Sequence, residues 1–205
     1  MNEQVNVAVV YYSATGGTHR LAQAAADSAE KEQAEVRLRK VRELAPEEAI
    51  ATNEGWAAHR RETVDVPEAT MDDLEWADVV LFGTPTRFGL PSAQLKQYID
   101  QAGPLWAQGK LANKVGSSFT STATAHGGQE STILAINNTF YHWGTIIVSP
   151  GFVDPIQFET GNPYGASSTS DNGRKMPTEA ELSSVGFQAR RAVQIAGALK
   201  NCKVF

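Results

Sequence analysis

Short runs of β-branched and apolar residues alternate along the chain with longer stretches whose apolar positions recur every three or four residues. The runs Val5 to Tyr12, Glu35 to Val41, Ala77 to Gly83, Lys114 to Thr120 and Thr145 to Val148 predict five strands. Gly17 to Gln33, Pro91 to Gln101, Glu130 to Trp143 and Glu179 to Leu199 predict helices. In the last of these, Leu182, Val185, Ala189, Val193, Ala196 and Leu199 form one apolar stripe. Strand and helix in alternation imply a parallel sheet with helices on both faces, the doubly wound α/β class. The second strand, in "AEVRLRKV", sets Val36 and Leu38 against Arg37 and Arg39, a charged face that suits a sheet edge. Strand two at an edge fits the order 2-1-3-4-5, with a ligand crevice where strands one and three diverge. Two segments stand outside the alternation: Pro46 to Thr70 reads as a long polar connection, Pro150 to Thr178 as a long loop rich in Gly, Ser and Asn. Loops of this length carry function, contact another subunit or lack order.

Length and composition narrow the class. The 205 residues suit a single domain spanning 1–205. With 41% hydrophobic and 20% charged residues the chain reads as an ordinary globular protein. No run approaches the roughly 18 to 20 apolar residues of a spanning helix, so no membrane insertion is expected. "MNEQVNVAVV" shows neither a basic segment nor a cleavage site, and the expected location is the cytoplasm. The single cysteine, Cys202, agrees with a reducing compartment and excludes an internal disulfide or a cysteine-based metal cluster. No other metal-ligand spacing is present. With 23 acidic residues against 18 basic ones and a net charge of -5, the chain offers no nucleic-acid surface.

Candidate chemistry gathers at predicted strand ends. "SATGGT", Ser13 to Thr18, joins the end of strand one to the start of helix one. The first amides of a helix lack internal partners and face the positive end of its dipole, so an anion is stabilised there. Ser13, Thr15 and Thr18 add hydroxyls, while Gly16 and Gly17 let the backbone come close without a Cβ in the way. The segment matches neither G-x-x-x-x-G-K-[ST] nor G-x-G-x-x-G, and its hydroxyls suggest a terminal monophosphate. A plain capped strand-to-helix turn is the alternative. Strand three ends in "LFGTPTRFG", where Thr84 and Pro85 break the strand and Thr86, Arg87, Phe88 and Gly89 protrude. Backbone amides there suit the edge of a planar heterocycle, and Phe88 can cover an apolar part; Arg87 faces a carbonyl edge or makes an ion pair. Strand four ends in "FTSTATAHGGQE", whose Ser121, Thr122 and Thr124 line the far side of the same ring. His19 and Arg20 read as solvated first-turn residues, and His59 as exposed.

These blocks, with "DQAGPLW", "YHWG" and "NPYGASSTSDNG", resemble in order the motifs of the WrbA-type NAD(P)H:quinone oxidoreductases, from Val5 to about Leu199. The resemblance implies a flavodoxin-like fold, bound FMN, NADH or NADPH as electron donor, a quinone as acceptor and a homotetramer. It implies that Ser13, Ala14, Thr15, Gly16, Gly17 and Thr18 hold the FMN phosphate. Thr86, Arg87 and Phe88 would contact the isoalloxazine, as would Ser121, Thr122, Ala123, Thr124, Ala125 and His126. His142 would reach the flavin from a neighbouring subunit, as a candidate proton donor, and Trp106 would border the substrate space. Without the resemblance, His142 is equally a helix C-terminal cap and Trp106 a packing residue. The implied chemistry is two-electron, ping-pong reduction of the quinone through FMN, with no protein nucleophile and no metal. Many members carry an aromatic residue where this chain has Thr15, and its loop Ser121 to Gly128 is one residue longer, with His126 the addition. An electron-carrier flavodoxin and a non-catalytic interaction protein of the same fold are the alternatives.

Overall fold

The strand "NVAVVY", β1 (Asn6–Tyr11), has almost no polar side chain because both its faces are covered. Val7, Val9 and Tyr11 pack with helices α1 (Gly17–Lys31) and α9 (Glu179–Asn201) on one side. Ala8 and Val10 face a second core containing Phe82, Leu95, Ile136 and Phe140. The computed structural model describes residues 4–202. In chain order the remaining elements before the sheet centre are β2 (Glu35–Lys40), α2 (Glu47–Ala51), α3 (Glu54–Glu62) and α4 (Met71–Trp76). Then come β3 (Val79–Arg87), β4 (Leu90–Pro91), α5 (Ala93–Asp100), α6 (Gly103–Ala107), β5 (Val115–Thr122) and α7 (Gln129–Trp143). The chain closes through β6 (Ile146–Ile147), α8 (Pro155–Thr160), β7 (Ser167–Thr169) and α9.

The main sheet runs β2-β1-β3-β5-β6, all parallel, and is flavodoxin-like. The predicted order holds, since β5 and β6 occupy the places expected for strands four and five. β2 lies at the edge as its alternation implied. Its charged face is not open, however: Arg37 and Arg39 each reach the buried Asp73 at 3.2 Å, and the Arg37 guanidinium lies 3.9 Å from the centre of the Trp76 ring. The predicted stripe on α9 packs into the first core.

Four expectations change. Strand three does not break at Thr84 and Pro85: β3 runs through both to Arg87, paired with β5 as far as Pro85 opposite Ser121. Proline is tolerated because β1 has already ended. The Tyr12 amide donates to the Gly83 carbonyl, and Pro85, two residues on, faces the same side where no strand follows. Second, β3 folds back through the pair Arg87 and Leu90 into β4, a two-residue hairpin with φ of 55° at Phe88 and 81° at Gly89. Third, Pro46 to Thr70 contains α2 and α3, and the buried side chain of Ile50 is what α2 contributes to the interior. Fourth, Pro150 to Thr178 contains α8 and β7, and β7 pairs with Thr120 to Thr122 of β5, above the point where β6 stops. The fifth strand position is thus filled by two pieces of chain.

Gln188 fastens the upper piece. From α9, at 1% exposure, it donates to the Ser117 Oγ at 2.6 Å and the Ser118 carbonyl at 2.8 Å, and accepts from the Ala166 amide at 2.7 Å. A Gln188→Leu variant leaves that amide without a partner. We expect a loss of about 1–3 kcal/mol, read as a lower denaturant midpoint with unchanged slope.

Candidate functional site

The turn after β1 is shaped by Ser13 and Gly16. The Ser13 Oγ accepts the Gly16 amide at 3.1 Å, and Gly16 caps α1 with φ of 97°, a conformation L side chains rarely adopt. The first amides of α1 are thereby turned outward. No acidic residue occupies its first turn to compete with a bound anion. Thr18 is buried at 2% exposure, and a Cβ on Gly17 would lie 3.4 Å from the Ser121 Oγ, so the first and third loops are in contact.

Ser13, Ala14, Thr15, Gly17 and Thr18 line a cavity of about 310 Å³ together with Pro85, Thr86, Arg87, Ser121, Thr122 and Ala123. The three strand ends singled out in the sequence therefore meet in one place. Asn53 and Trp56 of the α3 region and Ser170, Asn172 and Gly173 after β7 complete the lining, and sequence reasoning missed all five. Trp56 had one signal, an indole in an otherwise polar segment. Ser170 to Gly173 belong to a block that was noted without a role.

The cavity suits a nucleotide of the FMN kind. Hydroxyls and helix-start amides line it without a lysine, and no hydrogen bond links the Thr18 or Ser121 hydroxyl to another described residue. Arg87 also lines it, its Nη1 donating to the neighbouring Thr86 carbonyl at 2.9 Å. Among the described residues it makes no ion pair, which leaves its charge for a carbonyl or an anion. The Thr86 hydroxyl is spent on structure, accepting the Gly89 amide at 3.1 Å and the Thr132 hydroxyl at 2.9 Å. The Thr122 hydroxyl likewise donates to the Thr124 carbonyl at 2.7 Å.

Other sequence candidates fall outside this lining. Gly16 faces the opposite side of its turn, towards His59 and Met176. Phe88 stands fully exposed at the hairpin tip. Thr124, Ala125 and His126 are exposed beyond the rim. His142 and Trp106 lie at the other edge of the sheet. α7 leaves the carboxyl end of β5 and, about 22 Å later at 1.5 Å per residue, returns to its amino end, where the Asn113 amide donates to the Gly144 carbonyl at 2.9 Å. There the Trp106 Nε1 donates to the His142 carbonyl at 2.8 Å. Neither residue reaches the cavity of its own chain.

The NADPH-dependent FMN reductase family profile matches residues 5–158. The chain belongs to this family. Relatives named NAD(P)H dehydrogenase (quinone) include one from Deinococcus radiodurans, 44% identical over 97% of this chain and 99% of the relative. Another, from Syntrophus aciditrophicus, is 44% identical over 95% of this chain and 99% of its own length. Among solved structures, a flavodoxin, WrbA-like protein from Agrobacterium tumefaciens superposes with a TM-score of 0.65 at 24% identity. That match covers 94% of this chain and 98% of that one, and it supports the family fold. No described helix is long and apolar enough to cross a membrane.

Behind the turn from Ser13 to Thr18 lies a pair of histidines that the sequence placed in solvent. His59 of α3 is buried, and its ring centre is 5.3 Å from that of His19. The His19 Nδ1 is 2.5 Å from the Tyr11 hydroxyl oxygen. Burial, then the nearby His59, Arg20 and Lys40, lowers the His19 pKa from 6.5 to about 4. Burial also lowers that of His59, with Glu62 opposing and Lys40 and Arg20 adding. Both rings are favoured neutral in the fold, so the unfolded chain binds more protons below the ordinary histidine value. This contribution to stability is complete above pH 6.5 and is lost as the pH falls towards 4. The cofactor-free protein should melt several degrees lower near pH 5 than near neutrality, and His19→Gln should flatten part of that fall in a calorimetric pH series.

Proposed function

We infer that the protein is an FMN-dependent NAD(P)H:quinone oxidoreductase. The observation that carries this reading is the meeting of three separate strand-end loops around one lysine-free, hydroxyl-lined cavity in a member of this family. Bound FMN supplies two-electron transfer from a nicotinamide nucleotide to a quinone. Ser13 to Thr18 hold the phosphate through the amides and hydroxyls of the turn. Arg87 presents its guanidinium to the flavin edge, where a fixed cation stabilises charge that develops on reduction. Ser121 to Ala123 close the far wall, and the buried lengths of β3 and β5 keep both loops in fixed register. Ser13→Ala removes the acceptor for the Gly16 amide and one donor for the phosphate. We expect it to weaken FMN binding roughly tenfold, measured by quenching of flavin emission.

His142 and Trp106 enter this scheme through a second copy of the chain. Each is exposed on the single chain, and their hydrogen bond makes them one patch, so a neighbouring subunit can offer both to the open side of the cavity. A closed homotetramer is the assembly we propose, with His142 as proton donor. The one cysteine, exposed and free, suits the cytoplasm. The deciding experiment follows the absorption of FMN-loaded protein without oxygen while NADH or NADPH and then benzoquinone are added. Bleaching and recovery of the flavin bands establish both half-reactions; a flavin that bleaches only with a separate reductase would make the protein an electron carrier.

A further inference from the structure

A flat aromatic surface stabilises a planar flavin ring, and most residues that line the cavity are Ser, Thr, Gly or Ala. Phe88, which follows the lining residue Arg87 in sequence, is turned into solvent at the hairpin tip. Among the described residues that line the cavity, Trp56 brings the single aromatic ring. It comes from α3, outside every strand-end motif.

Trp56 borders this cavity and a second one of about 280 Å³, lined also by Lys40, Val41 and His59. Its indole is tied by a hydrogen bond: the Trp56 Nε1 donates to the Glu43 Oε2 at 3.1 Å. Asn53 caps the same helix by accepting the Trp56 amide at 3.0 Å. Glu43 also accepts the Tyr12 hydroxyl at 2.9 Å, the Gln94 side-chain amide at 2.7 Å and the Leu44 and Ala45 amides at 2.8 and 3.0 Å. Burial pushes the Glu43 carboxyl up, but the bonds from Ala45, Gln94, Tyr12 and Leu44 outweigh it and hold the group ionised, below its ordinary value. One carboxylate thus joins the residue before the phosphate turn, the helix after the β3–β4 hairpin and the indole.

We propose that Trp56 packs on the ring of bound FMN and that Glu43 is the residue that positions it. The proposal rests on the FMN-binding reading above. Apo-protein is titrated with FMN while flavin emission is followed, for wild type, Trp56→Ala, Trp56→Phe, Glu43→Ala and the double variant Glu43→Ala/Trp56→Ala, with circular dichroism confirming that each is folded. Trp56→Ala should raise the FMN dissociation constant roughly tenfold, as loss of an aromatic stacking partner does. Its saturated complex should also be brighter than wild type, because an indole in contact quenches flavin emission. Trp56→Phe should stay within about threefold of wild type, since it keeps a ring. Glu43→Ala should weaken binding in the wild-type background and add little once Trp56 is gone. A folded Trp56→Ala protein with wild-type affinity and brightness overturns the proposal. Equal costs of Glu43→Ala with and without Trp56 overturn the positioning role. Wild-type protein that takes up no FMN overturns the function on which the proposal stands, whatever the variants do.

Discussion

The site depends on β3 and β5 staying paired after β1 has ended. Tyr11 is opposite Gly83, and there β1 stops, while β3 and β5 continue together to Pro85 and Ser121. The sheet therefore has a step in its carboxyl edge. Parallel strands buried on both faces tolerate few polar groups, yet the upper rungs of β5 are Thr120, Ser121 and Thr122. They are accommodated because β7 continues the ladder beside them and because the Thr120 hydroxyl donates to the Thr84 carbonyl at 2.7 Å. Into the step drops the turn from Ser13 to Thr18. Its floor is rigid sheet, which is why loops so far apart in sequence can agree on one geometry.

Against this floor the α2–α3 segment is held by directional polar ties more than by buried area. Its interior contributions are Ile50, His59 and Thr63, and its position is set by the Glu43 carboxylate, the Asn53 cap and the ammonium of Lys40, which donates to the Thr63 carbonyl at the end of α3. Short helices with little apolar surface gain little from burial. Hydrogen bonds to a charged group are stronger and fix direction. The segment is thus placed accurately without being deeply rooted, a combination that suits a wall beside a ligand.

The architecture was legible wherever periodicity was unbroken. β1, α1, α7 and α9 follow directly from their apolar spacing, and the edge position of β2 follows from Arg37 and Arg39. Sequence reasoning failed where a residue's usual meaning was overridden by what lay next to it. Pro85 ordinarily ends a strand, but here the neighbour it would have bonded is absent. Ser167, Ser168 and Thr169 carry no apolar alternation because their partner rungs are hydroxyls too, so β7 looked like loop. For the site, the loops named by hydroxyl and glycine content did converge. Trp56 and Asn53 escaped because their approach depends on a helix pair built from polar residues. Phe88 stands outside the cavity lining because, in the first position of a tight hairpin, it points outward with its turn.

The interrupted fifth strand separates two tasks that a single strand would have to share. β6 completes the lower sheet, β7 supports the rungs under the cavity, and residues 148–166 leave the ladder and return to it. Loop closure grows only with the logarithm of length, so doubling such an excursion costs roughly 0.6 kcal/mol. The outer part of that excursion, near Phe152 and Val153, is exposed and belongs to no rung. Length there is a free variable: chain can be inserted or exchanged, to create a new surface or a fusion point, while both ends remain stitched to the sheet and the cavity floor keeps its shape.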